Sequence, residues 1–313
     1  MGWQHATAIV ILLALPTIWP GPLGWLQGLI AIPIMGCISE FGAKRAYRLL
    51  ANAVLAATVI AALIGSLPAL IFACTMLPVG MIIGNAYDRE VSPTKAGLMA
   101  VGVLLILWLT FWSGYGAATH TNPYREMLSS MDESLTSVAT LYQSDAKLSL
   151  NDKEEIAGTI QMLREFLLQI APALLATTAI FTVWLNMLLG QWLLNRKEPA
   201  GSKWPQFRYW RLPEQLVWVV IVSGIAALIP NEQAKIYGTN VLIAVGALYF
   251  FQGVAVLAKL FAKWSVPRPM RAFLFAIAML QGAGFVALAA LGVADIWVNF
   301  GTPRPDHDTA VEQ

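Results

Sequence analysis

The sequence predicts an all-α polytopic transmembrane helical bundle of eight or nine spans, with an amphipathic helical hairpin outside the membrane. Three observations predict it. Apolar side chains make up 58% of the 313 residues and charged ones only 12%, against about 45–50% and about 25% in soluble domains. An excess of that size cannot be hidden in a soluble core, so the outer surface must be apolar too, which means lipid. Nine apolar runs follow one another, at 6–19, 23–39, 49–65, 67–86, 96–114, 170–195, 213–230, 236–261 and 272–298, most of them near the roughly 20 residues needed to cross a hydrocarbon core. One segment, about 115–169, interrupts the series with the periodicity of a water-facing helix.

The opening "MGWQHATAIVILLALPTIWPGP" has no Lys or Arg before its apolar run and no small-x-small cleavage site after it. It is therefore expected to be a retained span, not a cleaved signal. Ala6 stands where a myristoylation signal requires Ser or Thr. Pro16, Pro20 and Pro22 break the chain, so 6–39 is either two short spans or one broken, partly re-entrant element. Glu40 ends the second run beside Lys44, a natural partner at the membrane surface. In the third run Ala53, Ala57, Ala61 and Gly65 form a small-residue stripe, as do Ala283 and Ala287 with Gly282 and Gly284 in the last. Such stripes let helices approach closely, within the chain or against a partner subunit, and the first is the candidate partner-facing surface.

The positive-inside rule sets an orientation. With a cytoplasmic N-terminus and nine alternating spans, the inner segments carry fourteen Lys and Arg and the outer ones six, four of which lie in the 115–169 segment. The C-terminus is then outside. The chain divides into N-terminal spans (1–114), an external acidic hairpin (115–169), C-terminal spans (170–300) and a polar tail (301–313). In the hairpin, Tyr124, Leu128, Met131, Leu135, Val138 and Tyr142 form one apolar stripe. Ile156, Ile160, Leu163, Leu167, Ile170 and Leu174 form another. Asn122-Pro123 is a helix start, and Asn151 with Glu154 resembles a capping box. Eight acids against four bases make the hairpin acidic; it is either a solvated face or a docking surface for a partner.

Motifs for catalysis are missing. The sequence has no P-loop, no HExxH and no GxSxG. Ser113, Ser223 and Thr178 have no base at a plausible spacing. His5, His120 and His307 are far apart, and Asp306, His307 and Asp308 belong to the polar tail. Cys37 and Cys74 sit in apolar runs without metal-ligand spacing and read as buried thiols. No enzyme, metal or cofactor is expected. A net charge of +2 without a long basic run excludes nucleic acid as a partner. The lipid bilayer and other membrane subunits are the expected partners.

What remains is polarity at membrane depth, which is costly and often functional. Asp295 lies near the outer end of the last run beside Trp297, where an interfacial position explains it as well as a function does. Asn186, Gln191, Asn240, Gln252 and Gln281 are either pocket residues or interhelical glue. Asn240 and Gln252 lie about 120° apart around a helix and about 18 Å apart along it, so one pocket does not take both. The candidate solute-binding set is Asn186, Asn240, Gln252 and Asp295. The segment "RKEPAGSKWPQFRYWRLPE" interleaves bases with Trp204, Phe207, Tyr209 and Trp210 and reads as a face for anionic lipid or a cytoplasmic partner.

The series "APALLATTAIFTVWLNMLLGQWLLNR", "FRYWRLPEQLVWVVIVSG", "GTNVLIAVGALYFFQGVAVL" and "LGVADIWVNF" resembles the YybS-like family of bacterial membrane proteins over about 170–300. The matching positions are Phe207, Arg208, Trp210, Leu212 and Pro213, then Asn240, Tyr249, Phe250, Gln252 and Gly253, then Gly292, Asp295 and Trp297, with Pro172 and Asn186 fitting more loosely. The basic residue that often ends the family's pattern is replaced by Gly301 after Phe300. The resemblance implies a bacterial inner-membrane protein distantly similar to the substrate-binding S components of energy-coupling-factor transporters. Those components lack an ATPase of their own, meet a membrane partner through small-residue faces and bind a small solute from outside. More spans and an external hairpin set this chain apart from them. The expectation is a non-enzymatic membrane subunit that binds a small solute between helices. The alternative is a structural or assembly subunit of a membrane or envelope complex.

Overall fold

The computed structural model describes residues 3–144, 149–197, 202–280, 282–298 and 300. Gln281, Lys147 and the 301–313 tail with Asp306, His307 and Asp308 lie outside the described residues. Among the described residues the regular structure is entirely helical. The chain forms two compact units, Met1–Trp204 and Pro205–Gln313.

The first unit begins with α1 (Trp3–Ile18), ended by the run of prolines. A short α2 (Pro20–Leu23) and a 3-10 segment (Gly24–Leu29) lead into α3 (Ala31–Phe41). His5 Nε2 lies 3.0 Å from Glu40 Oε2, so the start of α1 meets the end of α3. The two runs are therefore antiparallel helices that return to the side they start from. Helix α4 (Ala43–Ile64) turns Ala46, Leu50, Ala53, Ala57 and Ala61 inward as one buried face, with α1 as its principal neighbour. This corrects the partner-facing reading of Ala53, Ala57 and Ala61: their close approach serves this chain's own packing. Gly65, at φ 76°, closes α4. Its N–H and that of Ser66 bond back to Ala62 and Ala61, a left-handed cap that glycine adopts without strain.

Helices α5 (Leu67–Cys74) and α6 (Met76–Asp88) together make one span. Gly80 rests on Ile34 and Ala31, and Gly84 on Ile38 and Met35. The equal offset shows that α6 runs parallel to α3, the alternation expected of chain segments separated by one crossing. A side chain at Gly84 would begin 3.2 Å from the Met35 backbone and even closer to Ile38. Helix α7 (Pro93–Thr119) ends at His120, φ 56°. Helix α10 (Ala171–Lys197) packs on α7 through Gly97, which faces Trp184 and Met187, and on α3 through Gly190, which faces the Met35 sulfur.

Between α7 and α10 stand the two arms of the hairpin, α8 (Pro123–Ser144) and α9 (Leu150–Gln169). Asn122 Oδ1 accepts from Arg125 N and caps α8. The capping box of α9 lies two residues earlier than Asn151: Ser149 accepts from Asp152 N, and the Asp152 carboxylate accepts from Ser149 N. Ser149 wins because its residue is the last extended one, φ −67° and ψ 160°, while Asn151 is already inside the helix. The Arg164 guanidinium donates to both Asp132 carboxylate oxygens and ties the arms together.

In the second unit, α11 (Leu216–Leu228), α12 (Glu232–Lys263), α13 (Arg268–Leu280) and α14 (Gly282–Val298) follow a 3-10 turn at Phe207–Tyr209. Pro213 disfavours helical geometry at Leu212, so α11 is only 13 residues long. Asn231 caps α12 by accepting from Ala234 N. Gly238 lies against the backbone of Ala226 and Ala227, where α12 folds back along α11.

Helix length and composition support fewer spans than the eight or nine expected. Among the described residues six helical segments are long and apolar enough to cross: Pro20–Phe41, Ala43–Ile64, Leu67–Asp88, Pro93–Thr119, Ala171–Arg196 and Glu232–Lys263. A seventh requires Pro269–Ala278 and Gly282–Val298 to act together, although they bend by 106°. The apolar helices Gln4–Ile18 and Leu216–Leu228 are shorter; at about 1.5 Å per residue they reach only about 20–23 Å of a roughly 30 Å core. Eight or nine counted apolar runs, some of which are not full-length helices.

Two outcomes follow from these contacts. The Arg164 hydrogen bonds hold the Asp132 carboxyl below its ordinary pKa; desolvation opposes them in part, and the Arg164 charge adds a still smaller lowering. A lowered folded-state value means that the stabilisation is complete above the ordinary carboxylate range and is lost as pH falls through the folded value. Amide protection in α8 and α9, measured against the intrinsic exchange rate at each pH, should fall on acidification, and Asp132→Asn should show the lower protection already at pH 7; identical protection in the variant contradicts the tie. Gly84→Leu should destabilise the α3–α6 contact by about 1–3 kcal/mol, the usual cost of overpacking, read as a lower melting temperature in detergent.

Candidate functional site

The polar side chains of the second unit gather where α12 and α14 cross. The crossing is made by glycines. A Cβ on Gly253 would collide with Leu288 O, and one on Gly292 with Tyr249 O. These contacts run in opposite order along the two helices, so α12 and α14 are antiparallel with their backbones touching. Small residues permit this approach, and dispersion between the two backbones replaces the hydrophobic force that lipid does not supply.

Gln252 lies beside that crossing, about 17 Å from the end of α12 at about 1.5 Å per residue. Its Oε1 accepts from Leu212 N at 3.1 Å, and its Nε2 donates to Asp295 Oδ2 at 3.0 Å. Asp295 Oδ1 accepts from Phe300 N at 3.1 Å. The Leu212 N–H is free to donate because Pro213 keeps the chain extended there. One amide thus joins the extended entry segment, α12 and α14. Asp295 is only 4% exposed, and Arg211 Nη2 stands 4.0 Å from it. Lys259 lies two turns along α12 on the same face as Gln252 and within electrostatic range of Asp295 and Arg211. A buried carboxylate is tolerable only when paired and hydrogen-bonded, which these groups provide. Near the end of α14 Trp297 is exposed, whereas Asp295 is turned inward among these groups.

The four candidate solute-binding residues do not form one site. Gln252 and Asp295 meet. Asn240 belongs to the same unit but donates to Ile236 O of its own helix at 2.9 Å. Asn186 lies in the first unit, where its Nδ2 donates to Gly28 O and Thr182 O. Its Oδ1 is buried without a hydrogen-bond partner among the described residues, and so is the hydroxyl of Tyr249. Gln191 donates to Trp204 O at 3.1 Å. Trp204 itself is buried, its ring edge-on to Tyr87 and its Nε1 donating to Val91 O. Trp210 is also buried, donating to Pro205 O. Two of the four aromatics in that basic segment are therefore structural anchors, and Tyr209, stacked by Arg208, is exposed.

Sequence reasoning missed Arg211 and the Leu212 amide, which nothing but three-dimensional proximity brings to Gln252. It also missed Gly80 and Gly84, whose four-residue spacing in an apolar run was the available signal. Among the described residues no group of three or more His, Cys, Asp or Glu is arranged to hold a metal ion.

A family model described as "Predicted membrane protein (DUF2232)" matches residues 8–296, and the chain belongs to that family. The match agrees with the resemblance to the YybS-like family and extends it from the C-terminal half to nearly the whole chain. No curated protein and no solved structure matches. With its apolar helices, the chain is a multi-pass membrane protein in contact with the bilayer.

Gln252→Leu should leave Asp295 Oδ2 and Leu212 N unpaired and cost about 1–3 kcal/mol. Pairing it with Asp295→Leu should cost less than the sum of the single changes, because the two share one network. Melting temperatures of the four proteins in detergent measure this; strict additivity contradicts the coupling.

Proposed function

We propose that this member of the DUF2232 family is a non-enzymatic integral membrane subunit that holds a partner protein on its helical hairpin. The observation that carries the reading is apolar surface left open on the hairpin. Neither α8 nor α9 has a buried residue. Leu141, Leu150 and Met162 are 70%, 82% and 75% exposed. Two amphipathic arms packed chiefly on each other leave such side chains for something else to cover. The hairpin's acidic balance disfavours the anionic surface of a membrane and favours a protein face that combines apolar and basic groups. This reading takes α1 as a further crossing despite its length, which puts the N-terminus and the hairpin on opposite sides of a bacterial inner membrane; the Lys and Arg distribution over alternating spans then favours a cytoplasmic N-terminus and an external hairpin.

A second reading keeps the likeness to transporter S components, with a small solute held between helices. It rests on the buried and unpartnered Asn186 Oδ1 and Tyr249 Oη, each able to take one hydrogen bond from a guest. The pairing of Gln252 with Asp295 weighs against a shared polar pocket.

A photo-crosslinking residue at Leu141 or Met162 of the full chain, in its native host, should yield a discrete protein adduct. The same residue at Ser137 should yield less. Leu141→Asp with Met162→Asp should lower recovery of that protein roughly tenfold, as expected for loss of apolar anchors, while the fold persists because both positions are exposed. Adducts only with lipid, or none, contradict the docking reading. A small molecule that co-purifies and raises the melting temperature supports the second.

A further inference from the structure

We propose that the first unit carries a binding site for one anionic phospholipid. Two open grooves of about 460 and 590 Å³ adjoin on its surface and share Tyr47 and Met81 as lining residues. They follow α4 and α6 and reach the start of α7. The first is almost wholly apolar, with Leu50, Val54, Leu55 and Leu77 along its walls. The second ends among Tyr47, Asn85, Arg89 and Lys95. The combined groove is thus amphipathic along its length, oily at one end and cationic at the other.

Its dimensions and polarity suit a lipid. From Tyr47 to Thr58 α4 rises about 16 Å at about 1.5 Å per residue, close to the roughly 15 Å that one leaflet contributes to a roughly 30 Å core. The cationic end lies at the helix termini, where a headgroup sits. Arg89 and Lys95 are exposed, and neither has an ion-pair partner among the described residues. Of the acids in that turn, Asp88 is held by Lys203 at 2.6 Å, leaving Glu90 exposed beside two free cations. Asn85 donates to Tyr47 Oη, so the Tyr47 hydroxyl keeps its own proton for a phosphate oxygen. Two cations and a hydroxyl donor above an apolar trough select a phosphodiester with acyl chains over a zwitterionic lipid or an apolar helix.

The test is native mass spectrometry of the full chain released from micelles holding equal amounts of phosphatidylglycerol and phosphatidylcholine with identical chains. One phosphatidylglycerol per chain should be retained, in about tenfold preference over phosphatidylcholine. Arg89→Gln with Lys95→Gln should abolish the preference and leave weak retention of both lipids. Ala51→Phe, which fills the apolar trough, should lower retention of both. Equal retention of the two lipids by the unaltered protein overturns the proposal, as does a preference that survives the double change. So does a lipid-free dimer, which would make the groove an interface between copies, or displacement of the lipid by inorganic phosphate alone. The unaltered protein decides the question even where a variant does not fold.

Discussion

A chain in lipid must satisfy its polar groups from within, because hydrocarbon offers no hydrogen bonds. That constraint organises this protein. It explains why the described structure is helical, since helices pair their own backbone. It also explains where the exceptions sit. The chain is extended at Leu212, and Gln252 accepts the N–H that no helical neighbour takes up. The same amide then donates to Asp295, so one side chain resolves two polar problems at once. Asn186 does comparable work in the first unit, donating to Gly28 in the 3-10 segment. The glycine crossings belong to the same account. Close approach at Gly253 and Gly292 brings α12 and α14 near enough for Gln252 to reach Asp295.

Elements governed by local rules were legible in the sequence. The membrane class and the start of α8 at Asn122-Pro123 follow from composition and capping alone. Where two local signals competed, the sequence misled: Ser149 and Asn151 are both capping residues, and only backbone geometry selects Ser149. The span count was less legible for a different reason. Hydropathy registers apolar side chains, but a short helix entered through Pro213 and a bent pair of helices are as apolar as a full span. The small-residue stripe of α4 was visible, but spacing does not say which helix covers it, and α1 does. The Gln252–Asp295 pair joins residues 43 positions apart, a distance at which no local periodicity carries information.

The polar pairing shapes what the protein is able to do. A residue that lines a solute pocket must have hydrogen-bonding capacity left over, and Gln252 spends both ends of its amide on the chain itself. Spare capacity inside is limited to single atoms such as Asn186 Oδ1 and Tyr249 Oη, while the surface leaves apolar side chains open on the hairpin and Arg89, Lys95 and the Tyr47 hydroxyl along the groove beside α4. A protein that pairs Gln252 and Asp295 internally and leaves its surfaces unfinished fits the proposed role in assembly, with specificity carried by what covers those surfaces.

The most direct test of this account is a cryo-electron microscopy structure of the full chain in a lipid nanodisc, at a resolution that separates side chains. The account predicts continuous contact from Leu212 N through the Gln252 amide to Asp295, with no density between them and with α12 and α14 touching at Gly253 and Gly292. A solute or water cluster between Gln252 and Asp295, with the helices parted at those glycines, would contradict it.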